Sequence, residues 1–286
     1  MNFNKLSNKL SNKLSNKLLI LILILIIILV LILMFLKSKE LFTNNNEQTV
    51  RLHKLFEVYE YPLNKKIRLG EKKDGGYVIG EIDVLYDCYI SAGISNEESF
   101  SRDFINKYKM NNKNSFGFDG TIENYPYNYT KNISFVKKNI NSFNDDNNTN
   151  LFSLIDKYNN IFLKMDIEGG EYPWLLALNE EQLNKFKQIT IEFHDINDNG
   201  SNTLLEDKIK CFEKLAKNHY LIHAHGNNYS KDTNNIPDVI EFTYIHKSLF
   251  KSSPNLNNLQ LPIPNLDFPN NLEKNDFDLS FYPFKN

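Results

Sequence analysis

Cysteine is nearly absent from this 286-residue chain: Cys88 and Cys211 are the only two. They cannot form a disulfide framework, and their spacing is not that of a zinc site, so they leave the redox compartment open. Basic excess is missing as well, with 33 Lys+Arg against 35 Asp+Glu. That balance gives no electrostatic footprint for nucleic acid. Glycine is scarce, at 11 residues. Neither a G-x-G-x-x-G run nor a P-loop lysine follows any expected strand, which disfavours a phosphate-rich cofactor. Asparagine, by contrast, is so abundant that the sequons at Asn128, Asn132, Asn147, Asn199 and Asn228 carry little weight.

What is present begins with a long apolar run. Residues 1–17 form a tail with Lys5, Lys9, Lys13 and Lys17. Residues 18–36, "LLILILILIIILVLILMFL", follow without a polar side chain apart from the Met thioether. At 1.5 Å per residue this run spans about 28 Å, close to the thickness of a bilayer core. A cleaved signal would have a shorter apolar stretch and an A-x-A-like site, whereas "KSKELF" comes next. A retained single-span anchor is therefore expected. Four lysines before the span, against Lys37 and Lys39 after it, favour a cytoplasmic N-terminus.

Residues 37–60 read as a linker with a short helix. Residues 61–247 then alternate strand and helix. "IRLGEKKDGGYVIG" reads as a hairpin turning at Asp74-Gly75-Gly76. "YDCYISAG" is a buried strand, followed by Ser95 and Glu98 in capping-box spacing before a helix. "SFGFDG", "ISFV", "IFLKMDIEG", "QITIEFHD", "YLIHAHG" and "VIEFTYIH" supply six more strands, and one helix is expected between Asp166 and Phe186. Such alternation predicts an α/β fold with a mostly parallel sheet and helices on both faces. Ligands bind such sheets beyond the strand carboxyl ends, where Gly93, Asp119, Asp166, Glu168, His194 and His225 fall. Residues 248–286, with five prolines from Pro254 to Pro283, read as an extended arm packed on the domain.

The densest polar stretch is "LKMDIEGGEYPWLL", Leu163 to Leu176. Alternation puts Lys164 and Asp166 on one side of their strand. A lysine in so apolar a strand requires a partner, and Asp166 and Glu168 are the nearest acids. Glu171 is expected at the start of the next helix, where the macrodipole favours a negative charge. Asp119, about 26 residues past Gly93, can accept a ribose's hydroxyls or can simply hold a turn. His194, with an unperturbed pKa near neutrality, is the candidate base; a surface histidine is the plainer reading. His223 and His225, as an H-x-H pair with His194 or Asp166, offer one metal option, and Asp166 with Asp195 offers another. Sequence does not choose between them, and no metal ligand is assigned.

"LKMDIEGGEYPWL" resembles the Lys-aliphatic-Asp-aliphatic-Glu-Gly motif of FkbM-type S-adenosylmethionine-dependent methyltransferases. "RLGEKKDGGYVI", "YISAGISNEESFSRDF", "FGFDG", "IEFH" and the "LDFPN" tail agree in order and spacing from Ile67 to Pro283. The resemblance implies a class I methyltransferase (Rossmann-like) fold with seven strands, the last antiparallel. It implies S-adenosylmethionine held over the first, second and fourth strands, by Gly93, Ser95, Asp119, Asp166 and Glu168. It implies a hydroxyl acceptor, such as a sugar or a lipid-like or small molecule; the residues at these strand tips make Asp166, His194 and Lys164 the candidate catalytic set. The first loop departs from the family's glycine-rich form. A type II membrane glycosyltransferase and a non-catalytic domain of the same fold are the competing readings; "DIND" at Asp195 is one residue too long for the D-x-D motif of the former.

Overall fold

A computed structural model describes residues 24–37, 39, 47–126, 131–197, 203–233 and 235–286. The chain divides into two compact units, Met1–Val50 and Arg51–Asn286. In the first, residues 24–37 are helical and exposed. Among the described residues no helix is long and apolar enough to cross a membrane. The tail 1–17 and the first part of the expected span, 18–23, lie outside the described residues.

The second unit opens with helical residues 51–55 (α1), whose Leu52, with Phe56 and Val58 after it, is buried in the core. β1 (Lys66–Leu69) and β2 (Tyr77–Gly80) form the expected antiparallel hairpin around Asp74-Gly75-Gly76. The central sheet then comes from β3 (Cys88–Ala92), β4 (Ser115–Phe118), β5 (Ser134–Val136), β8 (Ile161–Met165), β9 (Phe186–Phe193), β10 (His219–Gly226) and β13 (Ile240–His246). Two-residue pairs, β6 (Asn139–Ile140) with β7 (Asn148–Thr149) and β11 (Asp232–Thr233) with β12 (Ile236–Pro237), lie outside it. The strand order is β10-β13-β9-β8-β3-β4-β5. Only β13 runs antiparallel to its neighbours.

The helices are α2 (Ser99–Tyr108), α3 (Phe152–Ile155), α4 (Glu171–Ala177), α5 (Glu180–Asn184) and α6 (Leu205–Asn218). The single helix expected between Asp166 and Phe186 is in fact two, because Leu178 turns extended and Asn179 caps α5 in a capping box with Gln182. The box expected at Ser95 and Glu98 does not form. Ser95 is left-handed, with φ 47°, and its N–H donates to Asp119. Glu97 caps instead, accepting from the Ser99 N–H at 2.5 Å.

Strand alternation sorts the core to two faces. Ile161, Leu163 and Met165 join Trp174, Phe193, Phe212 and Phe242 on one. Phe162 joins Tyr86, Tyr89 and Phe104 on the other, where Phe104 and Phe162 ring centroids are 4.3 Å apart. The arm after Leu249 holds neither helix nor sheet strand. It buries Leu261, Leu279 and Phe284 and fastens by side chains: Asp267 to His223 at 2.9 Å and Asp276 to His225 at 3.0 Å. The side chain of Asn228, in one of the sequons, is buried and donates to the carbonyl of Asn271 at 2.9 Å.

His219, at the start of β10, faces the carbonyl of Phe186 through Nε2 at 2.8 Å and is fully buried. Burial pulls its pKa down to about 3 from 6.5. Between those values the unfolded chain binds a proton that the folded chain refuses, so stability rises with pH up to 6.5 and is lost as pH falls. Urea titrations at pH 4.5, 5.5 and 6.5 should show His219→Gln less pH-sensitive than the wild type, by up to about 1.4 kcal/mol per pH unit. Parallel curves for the two proteins would show that His219 does not carry this dependence.

Candidate functional site

The parallel strands all end at one rim, and a cleft of about 860 Å³ opens there. Gly93, Ser95, Asp119, Asp166 and Glu168 line it together, as does Lys164. The register makes this convergence inevitable. Ala92 pairs with Met165, so Gly93 and Asp166 are the next pair out, and the Asp166 N–H donates to the Ala92 carbonyl at 2.9 Å. A Cβ on Gly93 would lie 1.5 Å from the Asp166 carbonyl oxygen, and its φ is +74°. Glycine is required here by both space and conformation.

Asp119, 7 % exposed, spends its carboxylate on its own chain. Oδ2 accepts from the N–H groups of Ile94 and Ser95 at 2.9 and 2.8 Å. Oδ1 accepts from the N–H and hydroxyl of Thr121 at 2.7 and 2.6 Å. Burial works to raise its pKa, but the bonds from Thr121, Ser95 and Ile94 outweigh that and hold it below the usual carboxylate value. A carboxylate has about four lone-pair sites, and four donors fill them. Asp119 thus shapes the first loop, whether or not a ligand also reaches it.

Lys164 lies on the Phe162 face of β8. Its Nζ donates to the Gly93 carbonyl at 2.9 Å, stands 3.6 Å from Asp166 Oδ2 and sits 5.3 Å from the centre of the Tyr77 ring. Tyr77, from the distant hairpin, donates its hydroxyl to the same Asp166 oxygen at 3.2 Å. Burial, then the charge of Asp166, raises the phenol's pKa well above 10, so it remains a donor. Asp166 is therefore held from one side by Tyr77 and Lys164. Its other oxygen, Oδ1, is 3.9 Å from His194 Nε2.

His194 is ringed by acids. Nδ1 is 3.3 Å from Glu171 Oε1, and Nε2 lies 3.4 Å from Glu168 and 3.5 Å from Glu192. Burial disfavours its charge, but the hydrogen bond and charge of Glu171, with Glu192 and Asp166, prevail and raise its pKa to about 9. His194 is then an imidazolium at neutral pH rather than the free base expected from sequence. Glu171 is in the first turn of α4, as expected, but it is not a surface acid: it is fully buried. Its Oε1 accepts from the N–H groups of Ile167 and Gly169 at 3.1 and 3.2 Å and so closes the "DIEGGE" turn. Glu168 and Gly169, at φ 55° and 95°, make the turn's left-handed bend.

Behind this ring a polar chain runs into the sheet. Glu192 and Glu241 are direct cross-strand partners on β9 and β13. Burial, with the charges of Asp166 and Glu241, pushes the Glu192 carboxyl well above its ordinary range. Glu241 accepts from Asn270 of the arm at 2.7 Å and lies 3.2 Å from His225 Nδ1. His223 Nε2 and both ring nitrogens of His225 thus face Asp267, Glu241 and Asp276. Among the described residues, the group able to hold a cation is Asp166, Glu192 and His194, with donor atoms within 4.8 Å of one another. Asp195, the other option, is not in it. Sequence reasoning passed over Glu192, Tyr77 and the cleft-lining Asn270. Glu192 and Glu241 did carry a signal, as acids inside strands with no polar face.

A family model described as the methyltransferase FkbM domain matches residues 73–242, more than half of the chain. The matched stretch contains Gly93, Asp119, Lys164, Asp166, Glu192 and His194. No curated protein matches the chain.

Proposed function

Because the chain belongs to the FkbM methyltransferase family, we propose that it transfers a methyl group from S-adenosylmethionine to a hydroxyl oxygen of a glycan or small-molecule acceptor bound in the strand-tip cleft. The observation that carries this reading is the convergence of the Gly93 loop, Asp119 and Asp166 on one cleft at the ends of β3, β4 and β8. The sulfonium methyl is already activated, so the protein has only to align an acceptor and receive its proton. The Gly93–Ser95 loop, pinned by Asp119, would hold the nucleoside end, with Glu168 and Asp166 towards the amino-acid end. Asp166 is the group that takes the hydroxyl proton. Tyr77 and Lys164 position its carboxylate, and His194 Nε2 stands 3.9 Å from its other oxygen.

We extend the proposal to the membrane. The apolar run 18–36 anchors the enzyme in a bilayer, and the lysine-rich tail 1–17 stays on the cytoplasmic side. The argument is the length and uniformity of the run and the lysine asymmetry.

Calorimetry with S-adenosylhomocysteine tests the methyltransferase reading. One molecule should bind per wild-type chain, and Asp119→Asn should weaken binding about 10–100-fold, the size of one or two charge-assisted hydrogen bonds lost from the loop. UDP-sugars should give no heat. Saturable binding of a UDP-sugar without S-adenosylhomocysteine binding would replace this reading with the glycosyltransferase one.

A further inference from the structure

We propose that Asp166, Glu192 and His194 form a binding site for one divalent cation beside the cleft, which Asp166 lines. The three donors come from two adjacent strand ends, β8 and β9, so the sheet itself fixes their separation. His194 Nε2 is 3.5 Å from Glu192 Oε1 and 3.9 Å from Asp166 Oδ1, and all three donor atoms fall within 4.8 Å of one another. Small side-chain adjustments bring such a triangle to metal–ligand distances of about 2.0–2.4 Å.

The surroundings are those of a metal site rather than of an isolated ion pair. His194 uses Nδ1 on Glu171, which turns Nε2 towards Asp166, Glu168 and Glu192; a carboxylate behind a ligating imidazole is the usual outer partner. Glu192 is oriented likewise, its Oε1 accepting from Asn227 at 2.9 Å. Its Oε2, in a side chain 5 % exposed, has no hydrogen-bond partner among the described residues, and a buried carboxylate oxygen without one is uncommon. Four carboxylates, those of Asp166, Glu168, Glu171 and Glu192, crowd one imidazole, with Lys164 the nearby amine. Two carboxylate oxygens and one imidazole suit Mn²⁺ or Mg²⁺ better than a thiol-loving ion. Asp166 lines the cleft with its side chain 27 % exposed, so ligand positions towards the cleft stay open to an acceptor oxygen. A cation there lowers the pKa of a bound hydroxyl. That role rests on the methyltransferase reading, whereas the binding does not.

Mn²⁺, followed by loss of its free-ion EPR signal, is the probe. The full chain, stripped with EDTA, should bind one Mn²⁺ at micromolar concentration. Glu192→Gln should weaken this at least about tenfold, the scale of losing one partner at a metal site. Asp166→Asn, at a more exposed position, should do the same if Glu192→Gln does not fold, and circular dichroism reports folding for each. Asp195→Asn should bind as the wild type. Absence of binding to the folded wild type, or unchanged binding in a folded Glu192→Gln or Asp166→Asn, overturns the site. S-adenosylhomocysteine calorimetry on the wild type with and without Mn²⁺ separates the two ideas: no binding in either state rejects the methyltransferase reading and leaves the Mn²⁺ result standing.

Discussion

Gly93→Ala is expected to abolish the folded domain or leave it at least about 3 kcal/mol less stable, a large part of the roughly 5–15 kcal/mol that holds a domain together. Two costs add. The φ of +74° costs a residue with a Cβ about 1–2 kcal/mol. The methyl group would also sit 1.5 Å from the Asp166 carbonyl oxygen, a backbone atom that cannot swing aside. Relief requires β3 and β8 to part at their tips, breaking the bond from the Asp166 N–H to Ala92 and the one from Lys164 to the Gly93 carbonyl. Gly169→Ala is the control. Its φ is +95°, but the nearest atom to a new Cβ is 3.8 Å away, so only the conformational cost of about 1–2 kcal/mol remains. Urea unfolding of both variants decides the matter. Equal losses would mean that the tips of β3 and β8 yield more easily than their register implies.

Asp166→Asn is expected to lower kcat/KM about 10²–10⁴-fold, the usual range for removing a general base. The fold should be nearly untouched, because the side chain is partly exposed and Asn keeps an acceptor for Tyr77. Glu171→Gln should show the reverse emphasis. Its carboxylate is fully buried and holds the N–H groups of Ile167 and Gly169, so neutralising it should cost about 1–3 kcal/mol of stability. Turnover on a panel of sugar and lipid hydroxyls, with melting curves for both variants, separates the two roles. If Asp166→Asn loses activity only in proportion to its stability, Asp166 is structural and the proton goes elsewhere.

The strands and their tips were legible because alternation is a local property. Lys164 and Asp166 fell on one side by counting, and Gly93 and Asp119 ended their strands as read. The partners of these residues were not legible. Tyr77 reaches Asp166 from 89 positions away, and Asn270 reaches Glu241 from the arm. Nothing in either neighbourhood announces the contact. Ser95 misled for a different reason: its spacing to Glu98 suits a capping box, but Asp119 competes for its N–H and prevails. His194 was misjudged because its proton affinity is set by Glu171, Glu192 and Asp166 together, and only the folded chain brings the three within reach.

The position of β13 has a consequence for synthesis on the ribosome. β9 and β10 are separated in the sheet by β13, the last of the seven strands to be translated. Until His246 has left the exit tunnel, neither β9 nor β10 has its neighbour on that side. The nascent chain therefore presents β9 as a bare sheet edge, rich in Ile189, Ile191 and Phe193, over some fifty codons, a span in which strand-to-strand association with other chains is the principal hazard. Arm residues such as Leu279 and Phe284 emerge later still. Closure of the sheet is thus deferred until β13 has been made, and the arm packs on it later still.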